Sequence, residues 1–333
     1  MKYLPALVSL FFLVACKNNH PHPNVSNIPV RLTVERFEQD FFKLDTLNLD
    51  ASLNKLNRQY PGFTQDFIFN ILGTTADSAK KDIPGFIRSY QQMQGDAKEV
   101  FKDFVSVESE IKNGLQYLHY YFPQYRLPEK LVTFIGPINS YGNIITPNSL
   151  AIGLQMYMGA SYPMYLSEQG QQMYPRYISR KFEKAFIPVN CIKNIIDDMY
   201  PGNNLGRPLV EQMIEAGKRQ YLLDLLLPET ADSLKTGYTG EQLKGCYESE
   251  KSIWSFFIQN DLLYSTDPNN ARDYMNEAPN TPALGEASPG NIGQFVGAQI
   301  VKKWMEKNPK TGPDLLMKTP AKQIFEEAKY KPK

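Results

Sequence analysis

The chain has 333 residues and a formal net charge of +1, enough length for one large or two smaller cores. A near-neutral balance without a basic block excludes an electrostatic binder of nucleic acid. A single histidine, His119, lies beyond residue 22, too few for a catalytic zinc, which normally takes two or three.

In chain order, Lys2 precedes an uncharged apolar run from Leu4 to Val14, followed by Leu13-Val14-Ala15-Cys16. The run is too short to span a bilayer but suits the h-region of a secretory signal. A small residue directly before cysteine suits lipoprotein signal peptidase, so residues 1–15 read as a lipoprotein signal peptide and Cys16 as the site of lipid attachment. Residues 16–27 read as the acylated cysteine and a flexible tether, polar and broken by Pro21 and Pro23. No acidic residue closely follows Cys16, which favours the outer membrane, with the chain on the periplasmic face. Lys2 is the one charged residue before Cys16, so the remainder is formally neutral.

Val30, Leu32 and Val34 alternate with polar residues as a short strand. Leu53, Leu56 and Tyr60 begin a helical region, and Ala97 to Phe122 carries apolar residues at helical spacing up to Pro123. Three short strands are predicted at Leu131–Ile135, Asn143–Thr146 and Leu150–Leu154, separated by glycine, proline and asparagine turns. Pro208 opens a helix with Leu209, Val210, Met213, Ile214 and Leu222 as its buried stripe. Thr239 and Gln242 have capping-box spacing, and Asp267-Pro268 and Ser288-Pro289 are cap-plus-proline starts. Gly290, Gly293 and Gly297 at helical spacing mark close helix packing in preference to an anion site. The fold class is α+β, mainly helical, with a small central, mostly antiparallel sheet packed by helices. Residues 28–318 read as a single globular domain, and 319–333 as a terminal helix and charged tail.

No H-E-x-x-H, G-x-S-x-G, P-loop or G-x-G-x-x-G opening a helix is present. His119 lies in an amphipathic helix and reads as packed or half-exposed. No catalytic residue, metal ligand or cofactor site is assigned, and the one covalent group expected is the lipid on Cys16. Cys191 and Cys246 have the compartment for a disulfide, but pairing depends on a separation that sequence does not give.

Several ordered pieces resemble the gliding-motility lipoprotein family GldB from about Arg36 to Met305. They include Val34-Glu35-Arg36-Phe37-Glu38, Ile152-Gly153-Leu154-Gln155-Met156-Tyr157-Met158-Gly159 and Arg176-Tyr177-Ile178-Ser179-Arg180-Lys181-Phe182. Ile253-Trp254-Ser255-Phe256-Phe257, Leu262-Leu263-Tyr264-Ser265-Thr266-Asp267 and Ser288-Pro289-Gly290-Asn291-Ile292-Gly293 complete the pattern. Gln155 stands where the resemblance leads one to expect aspartate. The resemblance implies a membrane-anchored periplasmic lipoprotein that supports gliding motility and the type IX secretion tied to it. Its implied partners are the membrane, through the anchor, and envelope motility or secretion proteins.

A second likeness is to zincin-type metallopeptidases. It places Phe182-Glu183-Lys184-Ala185-Phe186 at the H-E-x-x-H position and Glu215 at the third-ligand position. Phenylalanine does not ligate zinc, so this likeness implies a zincin-like scaffold without hydrolysis. Arg180, Glu183, Glu215 and Lys218 are the candidate pocket residues. The competing functions are a cell-envelope hydrolase using the two carboxylates and Arg180, or a peptide- or glycan-binding protein.

Overall fold

The structure is a computed structural model that describes residues 22–202, 204 and 206–332. Cys16, the signal peptide and the first part of the tether lie outside the described residues. Packing begins upstream of residue 28, because Val25 is buried in the main core and Gln116 Nε2 donates to the Ile28 carbonyl at 2.9 Å.

The described chain is mainly helical around one four-stranded sheet: β1 (Thr33–Arg36), β2 (Lys130–Phe134), β3 (Asn143–Ile145) and β4 (Ser149–Gly153). The principal helices are α1 (Leu49–Gln59), α2 (Ala79–Val100), α3 (Val105–Tyr121), α4 (Ile187–Met199) and α5 (Leu209–Leu226). They are followed by α6 (Gly240–Glu248), α7 (Glu250–Gln259), α8 (Pro268–Met275), α9 (Ile292–Lys307) and α10 (Ala321–Ala328).

The sheet is mixed, which corrects the mostly antiparallel expectation. Its order is β1-β2-β4-β3, with β1–β2 and β2–β4 parallel and only β3–β4 antiparallel. The helices between Phe37 and Tyr121 form a long crossover that returns the chain parallel to β1. The turn at residues 146–148 folds β3 back along β4, leaving β4 in the middle beside β2. All five residues of β4 are buried, as are Leu131, Val132, Thr133 and Phe134 of β2. Such two-faced burial accounts for the continuous apolar runs in the sequence.

The apolar stretch from Ala97 to Phe122 is two helices. Phe101 and Phe104 turn into the core between them, and Asp103 Oδ1 accepts the Val105 N–H at 2.9 Å to begin α3. Thr239 and Gln242 form the full capping box of α6, and Asp267 caps α8. Ser288-Pro289 does not start α9. Ser288 Oγ instead closes a loop, accepting from Thr281 N at 3.0 Å within bonding distance of the Thr281 and Gly285 carbonyls. The helix begins at Ile292, after Asn291 in a left-handed conformation.

Two buried apolar clusters meet on α5. Leu222, Leu223 and Leu226 join the cluster containing the sheet, while Leu209, Val210, Met213 and Ile214 join the cluster built with α6 to α10. The end of the chain is part of this second core. Ile324 and Ala328 are fully buried, Tyr330 packs on Trp254 with ring centroids 5.0 Å apart, and the Tyr330 hydroxyl donates to Glu250 at 2.5 Å.

Candidate functional site

On α4, Asn190, Lys193, Asn194 and Asp197 are spaced three, four and seven residues apart, so they share one helix face. That face lines a cleft of about 440 Å3. Tyr157, Phe182, Phe186, Thr236, Glu277 and Gln294 also line it. A smaller cavity of about 40 Å3, beside Arg180 and Tyr238, shares Lys181, Thr236, Gly237 and Glu277 with it. The Lys181–Glu277 ion pair marks the boundary between the two.

Lys193 is half-buried and has no hydrogen bond or ion pair among the described residues. Burial pulls its ammonium down to about 8; nearby Lys181 adds to the shift, while Glu277 and Asp197 oppose it. Asp197, at the mouth, accepts from Arg219 Nε at 3.2 Å. Within the lining, Tyr157 donates to Asn143 Oδ1, Asn190 Nδ2 donates to the Tyr157 oxygen at 2.9 Å, and Asn143 Nδ2 lies 3.2 Å from the buried Cys191 Sγ. Burial pushes the Cys191 thiol up to about 12, so it stays protonated and is no nucleophile at neutral pH. Cys191 and Cys246 are free, each buried in a different cluster.

The four pocket residues taken from the sequence are not brought together. Arg180 lines the smaller cavity and donates to the Gly237 carbonyl at 2.6 Å. Glu183 is exposed and accepts the Ala160 N–H at 2.7 Å. Glu215 and Lys218 do meet, 2.9 Å apart, but in an interior contact: Lys218 Nζ also donates to the Thr319 carbonyl at 2.6 Å. Arg207 and Arg219 flank Glu215 at 3.5 and 4.0 Å.

The metallopeptidase register also fails at the backbone. An H-E-x-x-H pair needs one α-helical turn to place its first and last residues on one face. Here Glu183 is extended, residues 184–186 form a single 3-10 turn and α4 starts only at Ile187. Phe182 packs edge-on against Tyr165 and Tyr174, with centroids 5.0 Å away in each case. The glycine of Glu215-Ala216-Gly217 serves helix packing, since a Cβ there would meet the Gly297 backbone at 2.3 Å. Gly290 is needed for a similar reason, with Ala278 backbone 2.3 Å from its missing Cβ.

Gln155 is fully buried and holds a loop together. Its Oε1 accepts the Gly136 N–H at 3.0 Å, and its Nε2 donates to the Tyr141 carbonyl at 3.1 Å. An aspartate would lack the second bond, having no N–H to give. His119 is exposed on α3. Nothing in the sequence singles out the cleft residues Lys193, Asn194 and Glu277. Their one signal there, the polar face of α4, looks the same as an ordinary solvated face.

Among the described residues, no three His, Cys, Asp or Glu side chains are grouped to hold a metal, and no helix is long and apolar enough to cross a membrane. Fold and cleft together define a mainly helical α+β protein with a polar cleft walled by helices and loops rather than by sheet alone. The profile of the gliding motility protein GldB family matches residues 18–332, and the chain belongs to that family of lipoproteins. No curated protein and no solved structure matches it.

Proposed function

We propose that this chain is a lipid-anchored envelope protein that supports gliding motility, and the type IX secretion coupled to it, through protein contacts and without catalysis. Family membership supports the motility role. The observation that carries the non-catalytic reading is where the polar groups of a hydrolase would have to come from. Arg180, Glu183 and Glu215 each spend their hydrogen bonds on a different part of the framework. General acid–base catalysis needs such groups converging on one reacting atom at hydrogen-bond reach. The anchor on Cys16, followed by no close acidic residue, supports placement on the periplasmic face of the outer membrane.

Deletion of the gene is expected to abolish colony spreading and lower the amount of secreted protein. A complementing copy carrying Glu183→Gln is expected to restore both, because the amide keeps the acceptor for Ala160. Parental spreading in the deletion strain would overturn the motility role. A Glu183→Gln protein present at normal levels yet inactive would point back to carboxylate catalysis.

A further inference from the structure

An ammonium group in a partly desolvated cleft is costly unless something compensates its charge. The cleft on α4 contains such a group. The charged side chains facing it are Lys181, Glu277 and Asp197, of which Lys181 and Glu277 pair with each other and Asp197 is held by Arg219. That leaves Lys193 as one positive charge without a partner among the described residues, matched by a ligand carrying one negative charge.

The surroundings narrow the ligand further. Asn194, one residue along the same helix face, has no side-chain hydrogen bond among the described residues, and Asn190 Oδ1 likewise has none. Tyr157, Phe182 and Phe186 border the same space. Primary amides suit hydroxyl groups, and aromatic walls suit the C–H faces of a ring. A volume of about 440 Å3 falls in the range of ordinary small-ligand sites. A phosphate monoester, mostly dianionic at neutral pH, would leave one charge uncompensated here, whereas a carboxylate would not.

We propose that the cleft is a binding site for an acidic sugar, with the sugar carboxylate held by Lys193 Nζ and its hydroxyls by Asn190 and Asn194. This site is independent of the scaffolding role proposed above and stands or falls separately. Because the folded-state ammonium titrates near 8 while a sugar carboxylate stays ionised, binding is present at neutral pH and is lost as pH rises through that value.

The test is calorimetric titration of the detergent-solubilised full chain with glucuronate, glucose, glucose 6-phosphate and N-acetylglutamate. Glucuronate is expected to bind at pH 7, at least about tenfold more tightly than the other three and than glucuronate itself at pH 9.5, the scale of one charge-assisted hydrogen bond. Lys193→Gln is expected to lose the same factor and Lys193→Arg to retain most of the affinity. Lys193→Gln should not lower stability: a folded-state pKa below the unfolded one means the charged lysine opposes folding at neutral pH. A thermal midpoint in Lys193→Gln at or above that of wild type certifies the comparison; if it falls, undiminished glucuronate binding by wild type at pH 9.5 overturns the proposal instead. The proposal is overturned if glucuronate does not bind at pH 7, if Lys193→Gln binds it as well as wild type, or if N-acetylglutamate binds equally well.

Discussion

Replacing Gly297 with leucine is expected to leave no folded protein, and Gly297→Ala is expected to lower stability by at least about 2 kcal/mol. The cause is the crossing of α5 and α9. A Cβ on Gly297 would stand 1.6 Å from the Met213 carbonyl oxygen, and one on Gly217 would stand 2.3 Å from Gly297. Both obstacles are backbone in the middle of long helices, so no side-chain rotation relieves them. Alanine in place of glycine in a helix gains about 1 kcal/mol of propensity, but the helices would have to separate to accept it. Separation would loosen the buried stripe of Met213, Val296, Ile300 and Val301 that joins them. Soluble yield and thermal midpoint check this. A Gly297→Ala protein that melts higher than wild type would show that the helices are free to slide apart.

Glu215→Leu should be nearly as damaging, costing roughly 3–5 kcal/mol. Lys218 has a side chain only 2 % exposed and Glu215 is its sole carboxylate partner among the described residues, so leucine strands a positive charge in the interior. The reverse change is milder. In Lys218→Met the charge itself is gone, and Glu215, 16 % exposed, keeps Arg207 and Arg219 beside it. What Lys218→Met forfeits is the bond to the Thr319 carbonyl, which ties α5 to the segment leading into α10. Urea unfolding of the two variants should therefore give Glu215→Leu the lower midpoint. Equal stability of Glu215→Leu and wild type would mean that Lys218 reaches water or another acceptor.

The sequence made the elements visible but not all of their arrangement. Strands stood out because Leu131–Phe134 and Leu150–Ile152 are apolar runs between turn residues. Their order did not, because a parallel crossover and a hairpin leave the same local pattern. Thr239 and Asp267 worked as helix starts, since each bonds an N–H within a few residues. Ser288 carries the same local signal, yet its hydroxyl is drawn to Thr281, a partner fixed only by tertiary folding. Gly290, Gly293 and Gly297 read as packing positions because a missing Cβ has a direct steric meaning, and each sits against neighbouring backbone; nothing in the sequence marks Gly217 of α5 as the partner of Gly297. The cleft stayed hidden for the opposite reason. Lys193, Glu277 and Gln294 come from three separated segments, and nothing in the polar face of α4 distinguishes a cleft from open solvent.

Acylation at Cys16 is the step that would fasten this family member to an envelope bilayer. Acyl chains contribute about 0.8 kcal/mol per buried methylene, so two or more make release negligible. Cells fed radioactive palmitate should yield labelled wild-type protein confined to the membrane fraction, and unlabelled, soluble Cys16→Ser protein. Wild-type protein that carries no label and washes freely from the envelope would contradict the account.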